Sequence, residues 1–213
     1  MISGLNSLKK QNISVKTILD VGAAKGVWSI ALQKLWPCCS FVLFEPLEER
    51  KTALENLISA NTNFHYIPSA AGKDSSQIKF YISADLDGSG VAKDTDQITR
   101  LVSLTSVDLE IKRLKLHGPF IIKLDTHGYE VPILEGCKDI IEHVSLFIIE
   151  CYGFRIAKHS FLFWEMCRHM DTLGFRLIDI VDVMRRPKDE AFWQCDAFFV
   201  RKEDEVLDNA SYV

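Results

Sequence analysis

Much that would classify this chain at once is missing from it. No apolar run approaches the length that crosses a bilayer, so no membrane span is expected. The opening residues, MISGLNSLKKQNISVKT, contain no apolar stretch of the secretory kind and do not read as a signal peptide. There is no basic stripe: 25 Lys and Arg stand against 29 Asp and Glu, a formal net charge of −4, which argues against nucleic acid as a partner. Six cysteines occur without a Cys-x-x-Cys pair; Cys38 and Cys39 are adjacent, and the other four are scattered in apolar surroundings. That pattern lacks the ligand spacing of a zinc site, and no metal site is assigned from it. It reads instead as reduced, mostly buried thiols, and with them a cytoplasmic location.

What is present is ordinary in bulk and specific in detail. Hydrophobic residues make up 47% and charged residues 25% of 213 positions, enough for one sizeable α/β domain. The most informative stretch runs from Thr17 to Pro46. Ile18-Leu19-Asp20-Val21 reads as a buried strand with a carboxylate near its end, and Gly22-Ala23-Ala24-Lys25-Gly26 as a turn of small residues. A helical pattern follows from Val27 to about Leu35, closed by Pro37, and a second apolar run, Phe41 to Phe44, ends at Glu45. Strand, glycine turn, helix, strand and acid make the front half of a nucleotide-binding βαβ unit. Gly22 and Gly26 let the backbone approach a ligand closely. Glu45 lies 23 positions after Gly22, near the offset of about 20 residues at which an acid binds both hydroxyls of a ribose. The ligand therefore reads as an adenosine.

The dinucleotide fingerprint is incomplete. Ala24 stands where Gly-x-Gly-x-x-Gly would have its second glycine, and Lys25 is not followed by Ser or Thr as in a Walker loop. A carboxylate, Asp20, before a turn with no phosphate cradle suits a cofactor with a cationic or amine-bearing tail. The turn resembles the first motif of the S-adenosylmethionine (SAM) methyltransferases of the Rossmann-like class.

Along the rest of the chain, Leu47–Ala60 reads as a helix with Glu48 and Glu49 in its first turn. Phe64–Ile67 reads as a strand ending at small residues, Ser69-Ala70-Ala71-Gly72, which leave room for a flat ring or simply make a tight turn. Ile78–Ser83 is a further strand. Asp85–Asp96 is a polar, glycine-containing loop that either encloses substrate or is solvated surface. Leu101–Leu116 begins extended and turns helical near Val107. In Pro119–Gly136 an apolar strand ends at Asp125, and a turn with His127 and Gly128 leads to a helix starting near Glu130. Ligands of open α/β sheets lie beyond the carboxyl ends of the strands, so Asp20, Glu45 and Asp125 should share one rim. A fourth acid, Glu150, ends the strand Val144–Ile149. Phe161–Leu173 reads as a helix, and Phe175–Val181 and Cys195–Arg201 as an antiparallel pair joined by a long loop containing Arg185–Lys188.

The residues LDVGAAKG, FEP, PSAAG, KLDTHGYEVPILEG and WQCDAFFVRK together resemble an FkbM-type methyltransferase, over about Ile18 to Lys202. The most specific part is Lys-x-Asp followed by Gly-Tyr-Glu; His127 takes a variable place in that turn. The resemblance implies a single-domain Rossmann-like three-layer α/β sandwich with a seven-stranded, mostly parallel sheet, the last strand antiparallel. It places the domain at 17–202, between an N-terminal arm or helix (1–16) and an acidic tail (203–213). It also implies SAM as cofactor and O-methylation of a hydroxyl on a sugar or other small-molecule acceptor. The residues matching the cofactor side are Asp20, Gly22, Ala23, Ala24, Gly26, Glu45, Pro46, Ser69, Ala70 and Asp125.

Methyl transfer from a sulfonium needs the acceptor oxygen held in line and a base near it. Asp125 and His127 are the candidates, with Lys123 as electrostatic partner; His127 could instead only bond the turn, and Lys123 only pair with a carboxylate. Glu130 reads as a first-turn helix acid. A divalent ion bridged by Asp125 and Glu150 is another way to acidify the acceptor. The alternatives in function are an NAD-type oxidoreductase, which Ala24 and Asp20 disfavour, and a SAM-binding module without catalysis. The sequence leaves oligomerisation open.

Overall fold

Strands of a parallel sheet covered on both faces need apolar residues at nearly every position. Thr17–Val21 (β1), Ser40–Phe44 (β2) and Phe120–Leu124 (β8) satisfy this, being buried almost throughout. The computed structural model describes residues 13–93, 95–158, 160–207 and 211. Most of the expected N-terminal arm and part of the acidic tail lie outside these residues. At their described ends, Ile13, Val15 and Leu207 pack against the core.

With Phe64–Ile67 (β3), Val144–Tyr152 (β9), Phe175–Arg185 (β10) and Phe192–Arg201 (β11), these strands form a seven-stranded sheet in the order β10-β11-β9-β8-β1-β2-β3. Pairing is parallel from β3 through β9. β11 runs antiparallel to both β9 and β10, which is the single reversed strand expected. The chain builds outward from β1 to β3, then returns to lay β8 beside β1. The crevice at the carboxyl ends of β1 and β8 is therefore the switch point of the sheet, where such folds bind ligands.

The period-two alternation of the strands divides the core in two. Leu19, Val21, Phe44, Ile122 and Phe147 face one side, against Val107–Leu114 (α3), Glu130–Glu135 (α4) and Phe163–Thr172 (α5). Ile18, Phe41, Leu43, Ile121 and Ile148 face the other, against Val27–Gln33 (α1) and Glu48–Ala60 (α2). This is the three-layer sandwich.

A second sheet has no counterpart in the sequence reading beyond two extended stretches. Ala70–Ala71 (β4), Ser76–Tyr81 (β5), Gly90–Val91 (β6) and Thr99–Thr105 (β7) pair in the order β4-β7-β5-β6 around Leu47, Phe80, Val102 and Leu104. β6 falls inside the stretch read as a polar loop; two residues are too few to show any period. Two boundaries also move. β9 continues past Glu150 to Tyr152, and β10 reaches Arg185, so the connection to β11 is a short hairpin loop rather than a long one.

Candidate active site

The turn after β1 is fixed by backbone contact. A Cβ at Gly22 would lie 2.0 Å from the carbonyl oxygen of Asp125, and Gly22 has φ +82°, so the ends of β1 and β8 meet only because this residue has no side chain. Ala24 also takes a left-handed conformation, φ 49°. Gly26 serves differently: a Cβ there would meet Leu57 and Leu43, so it lets α1 sit close on the sheet rather than facing a ligand.

Beside this turn lies a cavity of about 380 Å³. Its walls include Gly22, Ala24, Glu45, Pro46, Ala70 and Asp125, with Ala71, Phe80, Ile133, His127 and Glu150. Each carboxylate oxygen of Glu45 accepts one backbone N–H, from Ala24 at 3.0 Å and Leu47 at 2.9 Å. One lone-pair direction on each oxygen is thus left for a further donor. Burial pushes the Glu45 carboxyl up to about 7 against the pull of those two amides.

A second cavity, about 410 Å³, adjoins the first at Gly22, Ala24, Asp87 and Asp125 and is lined also by Asp20, Ala23, Lys25, Trp28, Arg50 and Lys123. Asp20 is buried and accepts a hydrogen bond from the Ser29 hydroxyl at 2.8 Å. Lys123 Nζ lies 3.6 Å from Asp20 Oδ1 and donates to Asp125 Oδ2 at 2.8 Å. Burial alone would raise the Asp125 carboxyl; the Lys123 ammonium outweighs it and holds that carboxyl below the usual range. Burial likewise works against the charged Lys123, and the charges of Asp125 and Asp20 overcome it. Three buried polar atoms of residues lining this cavity, Asp20 Oδ1, Trp28 Nε1 and Arg50 Nε, are without a hydrogen-bond partner among the described residues.

His127 stands on a strained turn, φ 55°, and its Nδ1 lies 2.9 Å from the carbonyl oxygen of Ser89. A carbonyl only accepts, so Nδ1 donates this bond, which in the neutral tautomer leaves the lone pair on Nε2. That nitrogen is 3.9 Å from Asp125 Oδ1 and 3.7 Å from Glu150 Oε2. Glu150 accepts hydrogen bonds from the Tyr152 hydroxyl and, at 2.6 Å, from Gln194 Nε2. Burial, and the Asp125 charge nearby, raise its carboxyl well above the usual range. Glu130 is buried as well, and its Oε1 accepts from Gly128 N at 2.9 Å and the Thr126 hydroxyl at 3.1 Å. Glu130 therefore ties down the turn that displays His127.

Asp20, Gly22, Ala23, Ala24, Glu45, Pro46, Ala70, Lys123, Asp125 and His127 thus border the two adjoining cavities. Gly26 and Ser69 line neither; Ala71 stands where Ser69 was expected. Sequence reasoning missed Arg50, Asp87, Ser89 and Gln194. Arg50 lies one turn before the buried Leu54, on the face of α2 that meets the core, and it reaches the site through an ion pair with Asp87. Ser89 and Gln194 come from the small sheet's loop and from β11, and nothing local marks them.

A third cavity, about 670 Å³, meets the first at Val91, His127 and Gln194. Its walls carry Tyr152, Phe154 and Trp193 with Arg155 and Arg186. Phe154 and Trp193 have ring centroids 5.8 Å apart, and the Arg186 guanidinium sits 4.1 Å from the Phe154 centroid.

No helix among the described residues is long and apolar enough to cross a membrane. All six cysteines are free thiols.

Among solved structures the fold is similar to TrmK of M. capricolum, a structure in complex with S-adenosyl-homocysteine. The two are 12% identical with a TM-score of 0.52, over 93% of this chain and 68% of that one. It is similar also to a precorrin-6y C5,15-methyltransferase of Geobacter metallireducens, 10% identical, TM-score 0.51, over 92% of this chain and 85% of that one. An rRNA methylase from Streptococcus thermophilus, 10% identical with TM-score 0.51, matches over 94% of this chain and 95% of its own. At these identities the likeness is one of fold. No curated protein matches the chain in sequence. The methyltransferase FkbM domain, as a family, matches residues 20–177, which take in the glycine turn, Glu45, and the Asp125–His127 turn with Glu150. On that match, across most of its length, the chain belongs to the FkbM methyltransferase domain family.

Proposed function

We propose that this protein is a SAM-dependent O-methyltransferase, its domain spanning residues 17–202, that acts on a hydroxyl of a sugar or other small-molecule acceptor. The observation that carries the reading is a run of three chemically different cavities, the second joining the first at the ends of β1 and β8 and the third joining the first at His127 and Gln194.

The residues present fit SAM. The free lone-pair directions of Glu45 suit the two ribose hydroxyls, and Ala70, Ala71, Phe80 and Ile133 give an apolar slot for adenine. The second cavity is bordered by Asp20 Oδ1, which faces the Lys123 ammonium at 3.6 Å but accepts no hydrogen bond among the described residues, and by Arg50 Nε, which donates none. They complement the ammonium and carboxylate of an amino-acid tail. A pyrophosphate would lie there against Asp20 and Asp125, which counts against NAD. When bound, SAM supplies an electrophilic methyl group on a sulfonium.

The chain's own part is positioning and proton management. Lys123, locked between Asp20 and Asp125, fixes the Asp125 carboxylate at the junction of the cavities. Asp125 and the bare Nε2 of His127 face the same space and can take the acceptor's proton. The aromatic walls of the third cavity suit a sugar or flat ring. The free thiols agree with a reducing, cytoplasmic setting.

The test is production of S-adenosylhomocysteine, followed by mass spectrometry, from SAM and a panel of hydroxylated sugars and aromatic natural products. Activity on at least one acceptor, abolished in Asp125→Asn, supports the reading. A protein that binds SAM and never demethylates it with any acceptor is a binding module. Methyl groups found in RNA instead would overturn the small-molecule acceptor.

A further inference from the structure

We infer that Asp125, His127 and Glu150 form a binding site for a divalent metal ion at the junction of the cofactor and acceptor cavities. One ligand atom from each of the three residues lies within 4.8 Å of the other two; nearest His127 Nε2 are Asp125 Oδ1 and Glu150 Oε2. The two distances to Nε2 are 3.9 and 3.7 Å. A point equidistant from three atoms so spaced is about 2.2–2.5 Å from each, within a small contraction of the roughly 2.0–2.2 Å of nitrogen and carboxylate ligand bonds.

The supporting contacts are those of a built metal site. In such sites the ligand's second polar atom is held by an outer partner that fixes tautomer and orientation. Each of the three has one. Lys123 holds Asp125 by Oδ2, leaving Oδ1 to the cluster. The Ser89 carbonyl holds His127 by Nδ1, which puts the lone pair on Nε2. Gln194 holds Glu150 by Oε1, leaving Oε2 to face His127 alongside the Tyr152 hydroxyl. Four stretches of chain that are remote in sequence, the β5–β6 connection with Ser89, the end of β8 and its turn, β9 and β11, thus converge to aim three lone pairs at one point.

One imidazole and two carboxylates are a mixed donor set, suited to Mn²⁺, Fe²⁺ or Zn²⁺ more than to Ca²⁺. The open side of the cluster faces the cavities, since all three residues line the first of them. A cation there lowers the pKa of an oxygen that enters on that side. This deepens the methyl-transfer reading and rests on it only for that use; the cation then takes over from Nε2 of His127 the task of activating the hydroxyl.

The experiment is titration of the full-length protein, stripped with chelator, with Mn²⁺ followed by electron paramagnetic resonance, and with Zn²⁺ by calorimetry. A parallel titration with SAM is run without metal. The expected result is one Mn²⁺ or Zn²⁺ per chain, weakened at least about tenfold in His127→Ala and Glu150→Gln, and about tenfold in Gln194→Ala, which removes only an outer partner. Failure of the wild-type protein to bind either ion overturns the inference, as does binding unchanged in all three variants. SAM binding without metal binding sinks this site and spares the methyltransferase reading; metal binding without SAM binding does the reverse.

Discussion

Gly22 does more for the site than any other single residue, because a side chain there would occupy the carbonyl of Asp125. Gly22→Ala should cost on the order of 2–3 kcal/mol in denaturant unfolding, from the collision and the positive φ together, and weaken SAM binding at least about tenfold. Glu45 gives a prediction in pH. Its folded value of about 7 stands above the ordinary carboxylate value of roughly 4.3, so it favours the fold most when protonated. That contribution is full below about pH 4 and is lost as pH rises through 7, whereas ribose hydroxyls donate to the ionised form. From pH 5 to 8 the free protein should therefore lose midpoint stability while its affinity for SAM rises; Glu45→Gln should flatten both slopes, measured by denaturant melts and calorimetry. Residues of this kind were legible in the sequence because each acid or glycine ends an uninterrupted apolar run. Arg50 and Ser89 were not, since an arginine one turn before a core leucine and a serine in a polar loop carry no local mark of where they lead. Ser69 lines neither cavity for a related reason: which small residue faces a cavity depends on the pairing of a two-residue strand, β4 with β7.

The turn between β8 and α4 shows how a short segment is held in a strained shape. Glu130, the first residue of α4, satisfies the Gly128 amide and the Thr126 hydroxyl on either side of His127. Glu130→Ala should lower stability by about 2 kcal/mol through those orphaned donors and reduce turnover, with SAM affinity nearly unchanged. Glu130→Gln, which keeps an acceptor oxygen, should restore most of both. Helices and strands with a full period and a clear stop were readable within a few residues, as with α2, β3, β8 and α4. The four-stranded sheet was not. β4 and β6 have two residues each, and β5 and β7 earn their place only by pairing across the stretch between them. Its consequence is local: β6 and the loop before it bring Ser89 to His127 and Asp87 to Arg50.

The whole chain places a large sheet's switch point under the roof of a small sheet, and binding between them should stabilise both together. At a hundredfold excess over Kd, SAM should add about 2.7 kcal/mol, a rise in Tm of roughly 5–10 °C for a chain of this size. Differential scanning with and without SAM measures it. The most direct test of the central claim is calorimetric titration of the purified protein with SAM and, separately, with NAD. The expected result is one SAM per chain, lost in Glu45→Ala, and no heat from NAD; saturable NAD binding with none for SAM would contradict it.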